Sequence, residues 1–185
     1  PTPDAERAAM LAYARAVLEQ FLLSDTLPMS RALPAHLGDR RQGVFVTLKQ
    51  RGQLRGCIGR IEPDGPLPWV LGGVTLQSAL RDPRFQPVTP GQLREIEIEI
   101  SLLTPLRRIS SPFQVVPGRD GVVLSKAGRS SVFLPQVAVD EGWTRDEMLD
   151  HLAVKAGLPS DAWRAGADLF VFQAEVCDER SALKK

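Results

Sequence analysis

The sequence predicts an α+β fold, a mainly antiparallel sheet flanked by helices. Two pairs of short β-like runs are each joined by only a few turn residues, which is the signature of hairpins. Residues 95–102 alternate strictly between apolar and polar. Helical patterns lie near both ends and in the middle without alternating regularly with the strands, which argues against a parallel βαβ array.

In chain order, Thr2 and Pro3 precede Asp4 and Glu6, a pattern that reads as a hydroxyl cap, a proline at the first helical position and acids in the first turn. Met10, Leu11, Ala14, Val17, Leu18, Phe21 and Leu22 then recur at helical spacing and predict one apolar stripe. Pro28 and Pro34 interrupt the next segment, so 27–42 reads as irregular and His36 as a loop residue. Gly43 opens a strand through Val44-Phe45-Val46-Thr47-Leu48-Lys49. Residues 50–53 form its turn, and a second strand from Leu54 to about residue 62 completes an antiparallel hairpin.

Pro63-Asp64-Gly65 is a turn, and 66–81 reads as a helix through Leu67, Val70, Leu71 and Val74. Gly72 and Gly73 each weaken it by roughly 1 kcal/mol relative to alanine, and Asp82-Pro83 ends it. In 95–102, Ile96, Ile98, Ile100 and Leu102 share one face and Glu97 and Glu99 the other. Runs at 122–124 and 132–134 flank a turn at 126–129, a second hairpin. Thr144-Arg145-Asp146-Glu147 is a capping box for a helix reaching Ala156, with Gly157 as its left-handed stop. Trp143 and Trp163 flank that helix and are expected to anchor it. Residues 169–176 read as one last strand, and the tail from Asp178 as loose. There is no internal repeat and no linker rich in Gly, Ser or Pro, so the 185 residues read as one domain.

Composition narrows function. Twenty-three basic against twenty-two acidic residues leave a net charge of +1, and no basic run is present. Nucleic acid is therefore an unexpected partner, because phosphate neutralisation supplies most of such binding. No apolar stretch approaches the roughly 18 residues of a membrane helix, and two cysteines make no disulfide framework, so a cytoplasmic protein is expected. Two cysteines and two histidines make no metal-ligand spacing, and no phosphate-binding glycine loop or cluster of cysteines implies a cofactor.

The segment Leu54-Arg55-Gly56-Cys57-Ile58-Gly59 carries the most chemistry. If Leu54, Gly56 and Ile58 face the core, then Arg55, Cys57 and Gly59 share the opposite face. Glycines are costly in a strand and mark a bulge or a close approach by a ligand or another backbone. Arg55, two residues from Cys57, would favour a thiolate. Against this stands the ordinary role of cysteine as a small buried hydrophobe. A nucleophile needs a base, and only His36 and His151 are available. His151 shares a helix face with Glu147 and Lys155, the pattern of a solvated surface. Glu97 and Glu99 either lie on a solvated face or pair with Arg55 or Arg84, and Asp82-Pro83-Arg84-Phe85 is either a self-satisfied turn or part of a binding rim. The expectation is that Cys57 and Arg55 meet at least one of Asp82, Arg84, Glu97 and Glu99 around one concavity. With cationic and acidic neighbours offsetting, Cys57 should then titrate near its ordinary value.

These motifs resemble the AMMECR-type domain family, which includes the bacterial and archaeal AmmeMemoRadiSam system A proteins. The resemblance rests on Gly43-Val44-Phe45-Val46-Thr47-Leu48, Leu54 to Gly59, Arg81-Asp82-Pro83-Arg84-Phe85, Glu97-Ile98-Glu99-Ile100-Ser101 and Gly118-Arg119-Asp120-Gly121. It continues through Leu134-Pro135-Gln136-Val137, Lys155-Ala156-Gly157-Leu158 and Phe172-Gln173-Ala174-Glu175-Val176, covering nearly the whole chain in the family's order. It implies a two-lobed α+β fold with the segment Arg55 to Gly59 in the groove between lobes, and association with a Memo-like protein and a radical SAM enzyme. The departure is Gly72-Gly73, Thr75 and Gln77 in a helix that is alanine-rich in the family. Two functions stand as expectations. One is a substrate- or partner-binding component using Arg55, Gly56, Gly59, Asp82, Arg84, Glu97 and Glu99, and the other is a stand-alone enzyme with Cys57 as nucleophile or redox centre.

Overall fold

The computed structural model describes residues 2–26 and 33–182; the part of the expected irregular segment at 27–32 lies outside them. Helix α1 (Asp4–Ser24) buries Met10, Leu11, Ala14, Val17 and Leu18, most of the expected stripe. Its cap differs from expectation. Pro3 occupies the cap position without a side-chain bond, and the Thr2 amide and hydroxyl instead donate to the Glu175 carboxylate. A short helix α2 (Ala35–Gly38) comes next and holds His36, so that residue is not in a loop.

Strands β1 (Val44–Gln50) and β2 (Gln53–Arg60) form the expected antiparallel hairpin. Its two-residue turn has φ of 53° at Arg51 and 80° at Gly52, the left-handed pair that a tight hairpin needs. Helix α3 (Leu67–Leu80) ends just before Asp82-Pro83. Strand β3 (Ile96–Leu103) buries Ile96, Ile98, Ile100 and Leu102 as the alternation requires. The first sheet has the order β2-β1-β3-β8, where β8 is Ala174–Asp178, and a short α6 (Glu179–Ala182) comes after it. Residues 179–182 are not loose: Glu179 accepts bonds from Arg15 and from the Ile98 amide.

The second sheet contains β4 (Arg107–Ile109), β5 (Gly121–Lys126), β6 (Arg129–Phe133) and β7 (Asp168–Phe172) in the order β4-β7-β5-β6. Helices α4 (Pro135–Asp140) and α5 (Arg145–Lys155) accompany it. The α5 capping box closes as expected, with the Thr144 hydroxyl accepting from the Glu147 amide and Glu147 accepting from the Thr144 amide. Gly157 stops the helix at φ 74°. Trp163 is buried and donates to Asp150, while Trp143 packs at the edge of the same core.

Residues 2–103 and 175–182 form one compact unit and Thr104–Ala174 another, each with its own apolar core. The final strand is therefore two strands. The run at 169–176 breaks at Gln173, its first half joining the second sheet and its second half the first. Hydrophobic pattern alone does not reveal a strand that changes sheets, since the apolar run at 169–172 and the residues after Gln173 read as one β-like segment.

Helix α3 seats very close to β2. A Cβ at Gly56 would lie 2.0 Å from the Ser78 backbone oxygen, so the two backbones approach as only glycine permits. Ser78 adds a hydroxyl that accepts the Ile58 N–H at 2.9 Å and donates to the Val46 carbonyl at 2.8 Å, bridging β2 and β1. Leu54 does not share the buried side: it is 43% exposed, beyond an irregularity in register at Leu48/Lys49.

Gly56, under α3, and Gly73, within it, predict opposite outcomes. Gly56→Ala should cost roughly 3 kcal/mol, because backbone atoms must move. Gly73→Ala should stabilise by about 1 kcal/mol, since its Cβ would meet nothing within 4 Å. Chemical denaturation of both variants tests this, and equal shifts of the same sign would contradict the packing of α3 on β2.

Candidate functional site

The residues expected to act together all fall in the first unit. On β2, Cys57 stands opposite Thr47 of β1, which stands opposite Glu99 of β3. Register therefore aligns the three on the sheet face away from Val46 and Leu48. Thr47 donates its hydroxyl to the Cys57 sulfur at 3.3 Å. The Cys57 amide points out of the sheet edge and donates to Asp82 Oδ2 at 2.9 Å.

Asp82 is the hub. It lies just past the end of α3 and is only 5% exposed. Its Oδ1 accepts the Arg84 amide and Nε, and its Oδ2 accepts Arg84 Nη2 at 2.7 Å. The Phe85 amide closes the turn onto the Asp82 carbonyl. The reading of Asp82-Pro83-Arg84-Phe85 as a self-satisfied turn holds, and its carboxylate also reaches the edge strand. Arg84 keeps 55% of its side chain exposed and lies 5.3 Å from the Phe85 ring. The forked guanidinium hydrogen bond holds the Asp82 carboxyl at about 2, assisted by the Cys57 and Arg84 amides and opposed by burial.

Arg55 does not serve the thiol. Its Nη2 donates to the Pro87 carbonyl and to Gln92 Oε1, both at 3.3 Å, and its Nη1 is buried with no partner among the described residues. The cation acting on Cys57 is Arg84. Glu97 and Glu99 pair with neither Arg55 nor Arg84. Glu99 takes Lys49 at 2.7 Å and Glu97 takes Arg180.

The glycines have steric reasons of their own. Gly56 admits the Ser78 backbone, and a Cβ at Gly59 would lie 2.2 Å from the Phe45 ring.

The thiol is not balanced at its ordinary value. Burial pushes the Cys57 pKa up, against the Thr47 hydroxyl and the Arg84 charge, and Asp82 and Glu99 add to the rise. Removing the thiolate from water outweighs one half-exposed guanidinium whose charge Asp82 already answers. The two histidines are engaged elsewhere: His36 Nε2 meets Glu6 Oε1 at 2.9 Å, and His151 stacks on Trp143. Among the described residues no cluster of His, Cys, Asp or Glu could hold a metal ion, and no helix is long and apolar enough to cross a membrane.

Thr47, Ser78 and Lys49 join the site without having been singled out by sequence pattern. Thr47 was detectable as the polar residue that interrupts the apolar run at 44–48. Ser78 gave no such sign, because a serine within a helix is ordinary.

Asp82 and Cys57 each carry a pH-dependent outcome. A depressed Asp82 pKa stabilises the fold fully above its unfolded value near 4, and the contribution is lost as pH falls towards about 2. Asp82→Asn should therefore cost about 2 kcal/mol at pH 7, and the difference from wild type should vanish near pH 2 in parallel urea titrations. A gap independent of pH would contradict the assignment. Alkylation of Cys57 in a Cys177→Ser background should be slow and should rise only above the pH at which a free thiol reacts. Cys177 is itself buried, with its pKa pushed up to about 11. An apparent Cys57 value below about 6.5 would mean an activated thiol.

The AMMECR1 family model matches residues 11–177. Protein Mbar_A1807 of Methanosarcina barkeri is 36% identical over 96% of this chain and 92% of its own length. Protein MK0488 of Methanopyrus kandleri is 38% identical over 92% and 86%. The crystal structure of uncharacterized protein PH0010 from Pyrococcus horikoshii superposes with a TM-score of 0.85 at 34% identity, covering 92% of this chain and 89% of that one. The chain belongs to the AMMECR1 family.

Proposed function

We propose that this protein is a substrate- or partner-binding component that works with a Memo-like protein and a radical SAM enzyme, and that the β2 segment Arg55-Gly56-Cys57-Ile58-Gly59 with Asp82 and Arg84 forms the binding surface. The observation that carries the reading is the state of Cys57. Its backbone is clamped by Asp82, its thiol is bonded to Thr47 and kept protonated by burial, and the histidines are engaged elsewhere. Nucleophilic catalysis asks for the reverse, a lowered pKa and a base within reach.

The same geometry suits recognition. Arg84 is held in one orientation by its fork with Asp82 while more than half of it faces solvent, so little entropy is lost when it meets an acceptor. Arg55 brings a second guanidinium, on β2, with a buried Nη1 that has no acceptor among the described residues. Glu97 and Glu99, paired with Arg180 and Lys49, supply the flanking polar surface.

The test is co-expression with the Memo-like and radical SAM proteins of the same genome, followed by affinity purification. Both partners should co-purify with wild type and with Cys57→Ser. Arg84→Ala should weaken recovery about tenfold, as expected for a rigid charged anchor. Loss of partner binding in Cys57→Ser with the fold intact, or no recovery with wild type, would overturn the reading.

A further inference from the structure

A second site lies away from the Cys57 cluster, over the outer surface of α3 where it faces α1. A cavity of about 400 Å³ is formed there, within the usual range of small-molecule pockets. Tyr13 and Val17 of α1, Trp69 and Gln77 of α3, and the charged pair Arg60 and Asp64 line it. Trp69, Gly73 and Gln77 succeed one another at i, i+4 and i+8, so they share one helix face.

Two features of this face lack a packing explanation. Gly73 sits inside a helix at a cost of about 1 kcal/mol relative to alanine, yet a Cβ there would meet nothing within 4 Å. Its neighbour Gly72 differs, since a Cβ at that position would come within 3.2 Å of the Tyr13 hydroxyl. Gly73 lines the cavity, so the space its missing side chain leaves belongs to it. Trp69 is 65% exposed although its ring is pinned from one side, where a Cβ at Gly65 would lie 2.7 Å from it. A large aromatic surface held in place and left uncovered is unusual away from binding sites.

Arg60 is weakly held. Its contacts are the Gly59 carbonyl at 3.4 Å and Asp64 at 3.6 Å, both at the limit of useful hydrogen bonding. A guanidinium lining a mainly apolar cavity favours a ligand with one acceptor group on an apolar body. We propose that this cavity binds a flat aromatic molecule carrying one acidic group, with Trp69 as its stacking surface, Gly73 leaving the space for it and Arg60 as the partner of the acid. The site is independent of the Cys57 cluster, and neither proposal needs the other.

The probe is 8-anilinonaphthalene-1-sulfonate, an aromatic body with one anionic group, and the neutral control is N-phenyl-1-naphthylamine. Wild type should bind the anionic probe saturably at one site, with energy transfer from tryptophan that falls in Trp69→Leu, since Trp69 is the tryptophan that lines the cavity. Gly73→Leu fills that space and should weaken binding at least about tenfold, while raising rather than lowering helix stability. Arg60→Gln should weaken the anionic probe about fivefold and leave the neutral control unchanged. Unaltered binding in a folded Gly73→Leu, equal losses of both probes in Arg60→Gln, or no saturable binding by wild type would each overturn the proposal.

Discussion

The contact between the last turns of α3 and the edge strand β2 is what the site depends on. Glycine at 56 lets the Ser78 backbone come within a distance no side chain would allow. Once it is there, the Ser78 hydroxyl bridges Ile58 and Val46, and the helix ends where Asp82 can take the Cys57 amide. Edge strands ordinarily leave such groups to water or to a stray partner strand. Here a carboxylate fills that role, and the same carboxylate orients Arg84. Position, charge and thiol environment thus derive from one close approach.

This arrangement accounts for the glycines and the cysteine of the signature segment in packing and hydrogen-bonding terms. The glycines are occupied in packing, Gly56 on Ser78 and Gly59 on the Phe45 ring. The cysteine is a small, partly buried thiol whose hydrogen-bond partner is a threonine. What faces outward with charge is Arg84, already neutralised on one side. A thiol whose pKa burial raises, beside a guanidinium held by Asp82, is what the proposed binding role rests on.

Much of the fold was legible because it rests on local rules. The alternation in β3, the first hairpin, the box at Thr144 and the stop at Gly157 are each written within a few residues. The hidden features depend on tertiary placement. The change of sheets at Gln173 leaves no mark in a period of two. Strict alternation puts Arg55 on a strand face with Cys57, but the register shifts at Arg55, its side chain runs to Pro87 and Gln92, and the effective cation arrives from the turn after α3. Glu97 and Glu99 stand out in the sequence as a polar pair, but Lys49 and Arg180 answer them, the latter from a tail the sequence leaves without pattern. Thr2 shows the same limit, since a hydroxyl suited to capping its own helix is drawn instead to Glu175, far along the chain.

The central claim, that Asp82 clamps the edge strand at Cys57, is tested most directly by amide hydrogen exchange at that residue. The Cys57 amide points away from β1, so without a partner it would exchange quickly. The account predicts strong protection in wild type and its selective loss in Asp82→Ala, with the Ile98 and Ile100 amides of β3 remaining protected in both. A Cys57 amide that exchanges freely in the wild-type protein, or one that stays protected after Asp82 is removed, would contradict it.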